Sequence, residues 1–235
     1  MDRLPKPEDN DVLSVHENFT GGKSVFREVA ETIVLTLLIF FAVRGVVQNF
    51  KVEGDSMLPT LQTKQYLLVN KALYFRYDAN MLARLTNRNV PEDMRYLFHG
   101  PQRGDIVVFE AWNETKDYIK RVIATEGETV EVRADNDPIG SPNRDCGGCG
   151  VYVNGVRLDE PYVKQTPDYS IPPTKIPPGY IYVLGDNRRN SSDSHVRGPL
   201  KVDAIIGTAF FPYWDEDHPG KFIRFLPHPT YAEIK

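Results

Sequence analysis

Two residues of this chain could perform covalent chemistry together, a serine and a lysine from different parts of the sequence. Ser56 lies in the run GDSMLPTL (residues 54–61), and Lys120 lies among apolar residues in the run DYIKRVIA (residues 117–124). A serine hydroxyl is too weakly acidic to attack an amide unaided, so a neighbouring base must take its proton. Lysine can be that base only when neutral, and apolar surroundings lower its pKa. The two residues together indicate a hydrolase.

Each of these residues alone has a more ordinary interpretation. A serine in an Asp-Ser-x-x-Pro run is usually a turn residue, and a lysine in a strand usually faces solvent. The interpretation as a pair depends on a third feature, the polar loop GDNRRNSSDS (residues 185–194), which accompanies them in the chain. Arg121 would lower the pKa of Lys120 further if its charge lay nearby.

The composition bounds the class of protein. A chain of 235 residues suits one catalytic domain with appendages. The net charge of −4 comes from mixed charges without a basic block, which argues against a nucleic-acid partner. The histidines other than His195 are scattered without metal-ligand spacing, so a metallopeptidase is disfavoured and we expect no metal or cofactor.

The two cysteines form a single Cys-x-x-Cys run, Cys146 and Cys149. One such run supplies half the ligands of a structural zinc site, and no βαβ pattern supports a thioredoxin-like redox role. The remaining interpretation is a local disulfide in a glycine-rich loop, provided that this part of the chain lies outside the cytosol.

The run TIVLTLLIFFAVRGVV (residues 32–47) is the only strongly apolar segment. About 16 helical residues rise only about 24 Å, but Arg44 can reach the membrane interface and flanking residues can extend the helix. We predict a transmembrane anchor over residues 29–50, after an N-terminal tail over residues 1–28. A buried core helix and a cleavable signal peptide are the alternatives. No small-x-small site follows the run, which disfavours the signal peptide.

The rest of the chain, residues 51–235, has the pattern of an antiparallel all-β domain. The asparagine and glycine of VYVNGVRL (residues 151–158) indicate a type I′ hairpin turn. Two interruptions, near residues 72–100 and 134–150, are predicted to be insertions, the first with a short helix around residues 81–85. Residues 165–179 contain five prolines and are predicted to be an extended connector. Short β-branched or aromatic runs predict strands at residues 66–69, 105–109, 118–124, 129–133, 180–184 and 204–211.

Five stretches in this order resemble bacterial type I signal peptidases, over most of the chain from about residue 32 to residue 227. They are residues 54–61, 66–71, 103–109, 118–124 and 185–194. The resemblance implies a membrane-anchored Ser-Lys endopeptidase with an all-β catalytic fold, in which Ser56 is the nucleophile and Lys120 the general base. It assigns supporting roles to four more residues: Ser191 orients the lysine, Asp193 is a carboxylate that supports the site, and Asp186 and Arg121 form a structural salt bridge.

The same resemblance implies how substrate is bound and where the enzyme works. The substrates are signal peptides of exported preproteins, cut after small residues in an Ala-x-Ala pattern on the outer side of a plasma or thylakoid-type membrane. The lipid bilayer and the protein translocation machinery are the other expected partners. Shallow apolar pockets would select small side chains, and their walls would comprise Phe50, Val52, Met57, Leu61, Tyr118 and Ile119.

Three residues depart from the family pattern. Gly54 stands where some members have a serine that helps bind the oxyanion, so the backbone N–H of Ser56 or a solvent molecule must serve instead. His195 replaces an arginine that pairs with the aspartate matching Asp193, which implies a weaker pair or one that titrates near neutral pH. Arg189 replaces an acid, whose contact is lost.

Two other functions are compatible with parts of this pattern. A self-cleaving repressor-type protease shares the Ser-Lys pair, but it is soluble and usually carries a DNA-binding helical domain. An inactive membrane-tethered β-domain that binds export substrates without cutting them is the second. Retention of Ser56, Lys120 and Ser191 together argues against it.

Overall fold

A computed structural model describes residues 21–86, 91, 93–110, 112, 116–139, 148–219 and 226. The chain divides into two compact units, Met1–Val43 and Arg44–Lys235. The described helices are α1 (Gly21–Val46), α2 (Met81–Thr86) and α3 (Ser194–Arg197), with a 3₁₀ turn at Val202–Ala204. The described strands are β1 (Val47–Lys51), β2 (Gln65–Asn70), β3 (Arg76–Asp78), β4 (Met94–Tyr96), β5 (Ile106–Glu110), β6 (Asp117–Ala124), β7 (Thr129–Ala134), β8 (Cys149–Val153), β9 (Val156–Arg157), β10 (Ile171–Lys175), β11 (Tyr180–Leu184), β12 (Leu200–Lys201) and β13 (Ile205–Asp215).

Helix α1 is long and apolar enough to cross a membrane. Its apolar part, Val25–Val46, has a mean hydropathy of 2.0 and no buried residue in its most apolar window. The helix ends four residues earlier than the predicted anchor. Residues 47–50 belong to β1 instead, because their backbone pairs with β2 in continuous register from Val47 opposite Asn70 to Lys51 opposite Tyr66. Of the predicted tail, residues 21–28 are helical and residues 1–20 lie outside the described part.

The larger sheet contains seven strands in the order β1-β2-β13-β5-β6-β11-β12. All described strand pairs are antiparallel, so the prediction of an antiparallel all-β domain with one N-terminal helix is confirmed. Strand β6 is central to function, because its side chains alternate between two apolar clusters. Val122 packs with residues of β5 and β11, while Ile123 packs with residues of the smaller sheet.

The smaller sheet contains four strands in the order β10-β7-β8-β9. Its β8–β9 hairpin turns at Asn154 and Gly155, whose φ angles of 51° and 80° are both positive, as a type I′ turn requires. Strand β10 lies inside the predicted connector. Its two prolines are tolerated because β10 is an edge strand with an irregular register against β7.

The two predicted insertions differ in how far they are described. The described residues of the first stretch include a two-stranded ribbon of β3 and β4, with α2 between these strands in sequence and at the position of the predicted helix, while residues 87–90 and 92 lie outside the described part. In the second stretch, residues 140–147 lie outside the described part, and Cys146 is among them. Cys149 is buried in β8 and is disulfide-bonded.

Candidate active site

Ser56 and Lys120 lie side by side. Ser56 is half-buried in the turn that follows β1, and Lys120 is on β6 with only 2% of its surface exposed. The lysine Nζ donates a hydrogen bond of 2.7 Å to the serine Oγ and one of 2.9 Å to the Ile119 carbonyl. The hydroxyl and the amine are therefore within proton-transfer distance.

The surroundings of Lys120 favour its neutral form. Burial lowers its pKa from 10.5 to about 8, even though the carboxylates of Asp193 and Asp186 act in the opposite direction. The predicted contribution from Arg121 is not among these causes. Its guanidinium is bound to Asp186 and to the Gly104 carbonyl. Desolvation alone therefore supplies the shift.

The chain after β11 packs tightly against the loop that carries Ser56. A Cβ atom added to Gly185 would come within 2.5 Å of the Ser56 carbonyl oxygen and closer still to the Ser191 hydroxyl. Asn187 then bonds twice to the serine loop. Its backbone N–H donates to the Ser56 carbonyl and its side-chain Nδ2 donates to the Asp55 carbonyl, each at 3.0 Å. Only a glycine at position 185 permits this approach.

The Ser191 hydroxyl is buried beside Gly185 but does not make the expected contact. It has no hydrogen-bond partner among the described residues, so the bond to Lys120 that the resemblance implies is absent from the structure. A buried hydroxyl without a partner is uncommon in folded proteins. The structure thus places Ser191 beside Gly185, and its role in orienting Lys120 stays a prediction.

Asp193 is fully buried and fixes the end of the same loop. Its carboxylate accepts hydrogen bonds from the Gly185 N–H at 2.8 Å, from the His195 N–H at 3.1 Å and from the His195 Nδ1 at 2.7 Å. The backbone bond to His195 caps α3. The His195 ring also stacks on Tyr169, with 4.0 Å between ring centroids. The histidine at this departure from the family pattern therefore does pair with Asp193.

Arg121 and Asp186 form a buried ion pair behind the site. The guanidinium binds the carboxylate through two hydrogen bonds of 2.8 and 2.6 Å, and neither side chain is exposed. Thr60, from the serine loop, also donates to Asp186, and the Tyr162 ring stacks on the guanidinium. The pair thus joins β6, the loop after β11 and the segment that carries Ser56.

The sequence analysis assigned no role to Arg188, yet this side chain is completely buried. It donates two bonds of 2.7 Å to Glu160 and one of 3.0 Å to the Gly185 carbonyl. The neighbouring Arg189 is exposed and donates to the Thr166 carbonyl. The sequence does not distinguish a buried from an exposed arginine at these two positions. The dense run of polar residues only indicates that the loop is of interest.

A cleft of about 720 Å³ opens in front of Ser56 and Lys120. Four of the six predicted pocket residues line it, namely Phe50, Val52, Tyr118 and Ile119. Met57 and Leu61 do not, because both are buried in the apolar cluster behind Val52. The sequence analysis missed several polar and backbone contributors to the lining: Lys51, Glu53, Lys116, Asp117, Asn190 and Ser192.

Comparisons with known proteins agree on one family. The family model described as signal peptidase, peptidase S26, matches residues 26–214. A probable signal peptidase I-1 of Synechocystis sp. is 35% identical over 84% of this chain and 86% of its own length. A probable thylakoidal processing peptidase 2 of Arabidopsis thaliana is 37% identical over 88% of this chain and 47% of its own length. A crystal structure of a signal peptidase I from Enterococcus faecalis V583 has 30% identity and a TM-score of 0.36, over 47% of this chain and 97% of that one.

The chain therefore belongs to the signal peptidase family, peptidase S26, and within it to the type I signal peptidases. It is a protease that acts on the signal peptides of preproteins. Its apolar N-terminal helix and its thylakoidal relatives associate it with a membrane. Family membership also removes the self-cleaving repressor-type protease from consideration.

Proposed function

We propose that this chain cleaves N-terminal signal peptides after small residues, in an Ala-x-Ala pattern, with Ser56 as nucleophile and neutral Lys120 as general base. The observation that carries the proposal is the 2.7 Å contact between the Lys120 Nζ and the Ser56 Oγ in a buried environment. A serine next to a desolvated lysine is one of the recurring variants of the catalytic triad.

The chemistry proceeds in two steps. As the Ser56 Oγ attacks the scissile carbonyl carbon, Lys120 takes its proton. The tetrahedral intermediate then collapses with cleavage of the C–N bond, and the ammonium returns the proton to the departing amine, which is the new N-terminus of the mature protein. Water attacks the remaining ester with Lys120 again as base, which releases the signal peptide and restores the Ser56 hydroxyl.

Backbone groups would stabilise the oxyanion. The Ser56 N–H makes no hydrogen bond within the described part of the chain, so it can donate to a substrate carbonyl oxygen. Position 54 is a glycine with φ of 84° and brings no side-chain donor. The loop around Ser56 is held from the other side by Asn187, which preorganises that N–H.

Specificity for small residues would arise from the apolar part of the cleft. Phe50, Tyr118 and Ile119 line it beside the reacting hydroxyl, so large side chains of a substrate would collide with their aromatic and branched groups. Strand β1, whose last residues line the same cleft, is the edge strand of the larger sheet. An extended substrate segment can add to such an edge through backbone hydrogen bonds.

The catalytic domain would lie on the extracytoplasmic side of a plasma or thylakoid-type membrane. The disulfide at Cys149 supports this orientation, because disulfides persist in oxidising compartments. Ser56 follows the end of the apolar helix by ten residues in sequence. A substrate inserted in the same bilayer through its signal peptide would therefore be present at a high effective concentration. The translocation machinery remains an expected partner.

The test is cleavage of a preprotein that carries an Ala-x-Ala site by the full chain in detergent, with the cut mapped by mass spectrometry. Ser56→Ala and Lys120→Ala should each abolish turnover while the protein still folds and inserts. Appreciable turnover by either variant removes that residue from its role. Binding without cleavage by the unsubstituted chain would favour the alternative function, an inactive domain that binds export substrates.

A further inference from the structure

Two groups that can each bind a proton interact with the same buried carboxylate, that of Asp193. His195 contacts it directly, through its Nδ1 at 2.7 Å. Burial lowers the pKa of Lys120, and the charge of Asp193 acts on this lysine in the opposite direction. Asp193 is fully buried, so water screens both interactions only weakly. The charge that favours the ammonium form of Lys120 is therefore the charge that His195 can neutralise.

The contacts of Asp193 determine where His195 can take up a proton. The carboxylate accepts hydrogen bonds from the Gly185 N–H and from both the backbone N–H and the Nδ1 of His195. Because the carboxylate accepts at these positions, the proton of the neutral ring belongs on Nδ1. A second proton then binds Nε2, and the 17% of the side chain that is exposed gives solvent access to the ring. The ring can therefore become charged without breaking its contact with Asp193.

Tyr169 fixes the plane of the His195 ring. The two ring centroids lie 4.0 Å apart, and the ring planes differ by 8°. Burial raises the pKa of the Tyr169 hydroxyl, so this neighbour stays neutral. The face of a tyrosine ring also accommodates a positive charge. The histidine ring is therefore held in place in both its neutral and its charged form.

The other titratable and charged groups near His195 and Asp193 are of residue types that do not ordinarily change charge between pH 5 and 8. Arg188 and Glu160, which act on Tyr169, are bound to each other by two hydrogen bonds. Burial raises the pKa of Tyr182, which also senses Asp193. On α3 itself, Arg197 donates to the Ser192 hydroxyl. Apart from Lys120, His195 is thus the group of this set that can respond to pH near neutrality.

We propose that His195 is a positioning residue that neutralises the charge of Asp193 at low pH and thereby extends downward the pH range in which Lys120 can act as a base. The inference deepens the proposed function, because it rests on Lys120 as the general base. When the ring is charged, Asp193 stabilises the ammonium form of Lys120 less, so the lysine loses its proton more readily. When the ring is neutral, the full charge of Asp193 acts on the lysine again. The titrations of the two groups are therefore coupled.

Substitutions at position 195 separate the two charge states. His195→Arg provides a permanent positive charge, and His195→Asn provides a neutral donor in place of Nδ1. In the full-length Ser56→Ala protein in detergent, the rate at which a trace of acetic anhydride acetylates Lys120 measures the fraction of neutral amine. Peptide mass spectrometry gives this rate between pH 6 and pH 9, as a fraction of the value at pH 9 for each variant. The matched control is Arg189→Gln, which removes a charge from the same loop at an exposed side chain.

At pH 6, the chain with His195 and the His195→Arg variant should both react about threefold faster than His195→Asn, which corresponds to a shift of about half a unit in the pKa of Lys120. At pH 8, the chain with His195 should instead match His195→Asn and react more slowly than His195→Arg, because histidine is ordinarily uncharged at that pH. Arg189→Gln should match the chain with His195 at both pH values.

Equal rates in the three chains at pH 6, or a chain with His195 that follows His195→Asn at every pH, overturns the inference. An effect of Arg189→Gln as large as that of His195→Asn overturns it as well. If His195→Arg or His195→Asn does not fold, as judged by its thermal midpoint, His195→Lys or His195→Gln takes its place.

Cleavage of a preprotein by the same variants with Ser56 retained separates this inference from the proposed function. A pH–rate profile that follows the acetylation of Lys120 supports both. A profile that ignores the substitutions, while acetylation follows them, removes Lys120 as the base and leaves its coupling to His195 in place.

Discussion

Asn187 holds the Ser56 loop by two hydrogen bonds, one from its backbone to the Ser56 carbonyl and one from its side chain to the Asp55 carbonyl. The Asp55 carbonyl belongs to the same peptide unit as the Ser56 N–H, and the Ser56 carbonyl begins the next peptide unit. We therefore propose that Asn187 positions both the nucleophile and the proposed oxyanion donor, because its two bonds end on the backbone of the loop that carries them.

Replacement of this side chain tests its positioning role. Asn187→Ala removes one hydrogen bond worth about 1 kcal/mol, so kcat should fall roughly fivefold to tenfold while KM changes little. Asn187→Asp, which keeps the size but loses the donor, should do the same. Steady-state kinetics on a preprotein give both constants. A rise in KM at constant kcat, or full activity in Asn187→Asp, would contradict the assignment.

The pH dependence of cleavage reports on Lys120. Because the base works only when neutral and its pKa is about 8, activity should rise with pH and level off above pH 9. At pH 7, kcat/KM should be roughly tenfold below the plateau. The measurement is a pH–rate profile with a substrate that does not titrate between pH 6 and 10. A flat profile over pH 6–9 would exclude Lys120 as the base.

The buried lysine should also lower the stability of the fold at neutral pH. Its pKa in the folded protein is about 8 against 10.5 otherwise, so the charged form is disfavoured by about 3 kcal/mol. This cost is present below pH 8 and disappears as pH rises toward 10.5. Lys120→Met should therefore raise the thermal midpoint at pH 7 and abolish activity, with a smaller gain at pH 10. An equal or lower midpoint at pH 7 counts against this reasoning.

The substitution Ser191→Ala tests whether the Ser191 hydroxyl contributes to catalysis or only to packing. The Ser191 hydroxyl has no partner among the described residues, so its removal should leave the thermal midpoint unchanged or slightly higher. If the hydroxyl orients Lys120 during the reaction, kcat should fall, but less than in Lys120→Ala. Parallel calorimetry and kinetics distinguish the two contributions. Unchanged kcat would restrict Ser191 to packing against Gly185.

Local patterns in the sequence were sufficient for the six predicted strands, the type I′ hairpin and the short helix of the ribbon. They were insufficient at residues 47–50. Nothing in the sequence Val-Gln-Asn-Phe ends the preceding helix, and only pairing with the distant β2 makes this segment a strand. Strand β10 was missed for the converse reason, since its prolines conceal an edge strand.

Some features of the active site could likewise be predicted from the sequence, and others depend on the tertiary structure. The Ser56–Lys120 pair was proposed from the sequence because the polar loop 185–194 accompanies the serine and the lysine in the chain, whereas either residue alone has a more ordinary interpretation. Whether Met57 and Leu61 face the cleft or the core depends on how the loop folds over Val52, which spacing does not reveal. The two hydrogen bonds of Asn187 could not be predicted from the sequence either. One is donated by the backbone, and both are accepted by backbone carbonyl groups, which every residue carries.

At Gly185 the loop after β11 and the loop that carries Ser56 approach each other too closely to admit one more carbon atom. A methyl group there would act as a wedge between the nucleophile's peptide and the loop that ends in Asp193. Efforts to retune this protease by random mutagenesis should find that position intolerant, and truncation of Ser191 should not restore tolerance because the clash with the Ser56 carbonyl remains.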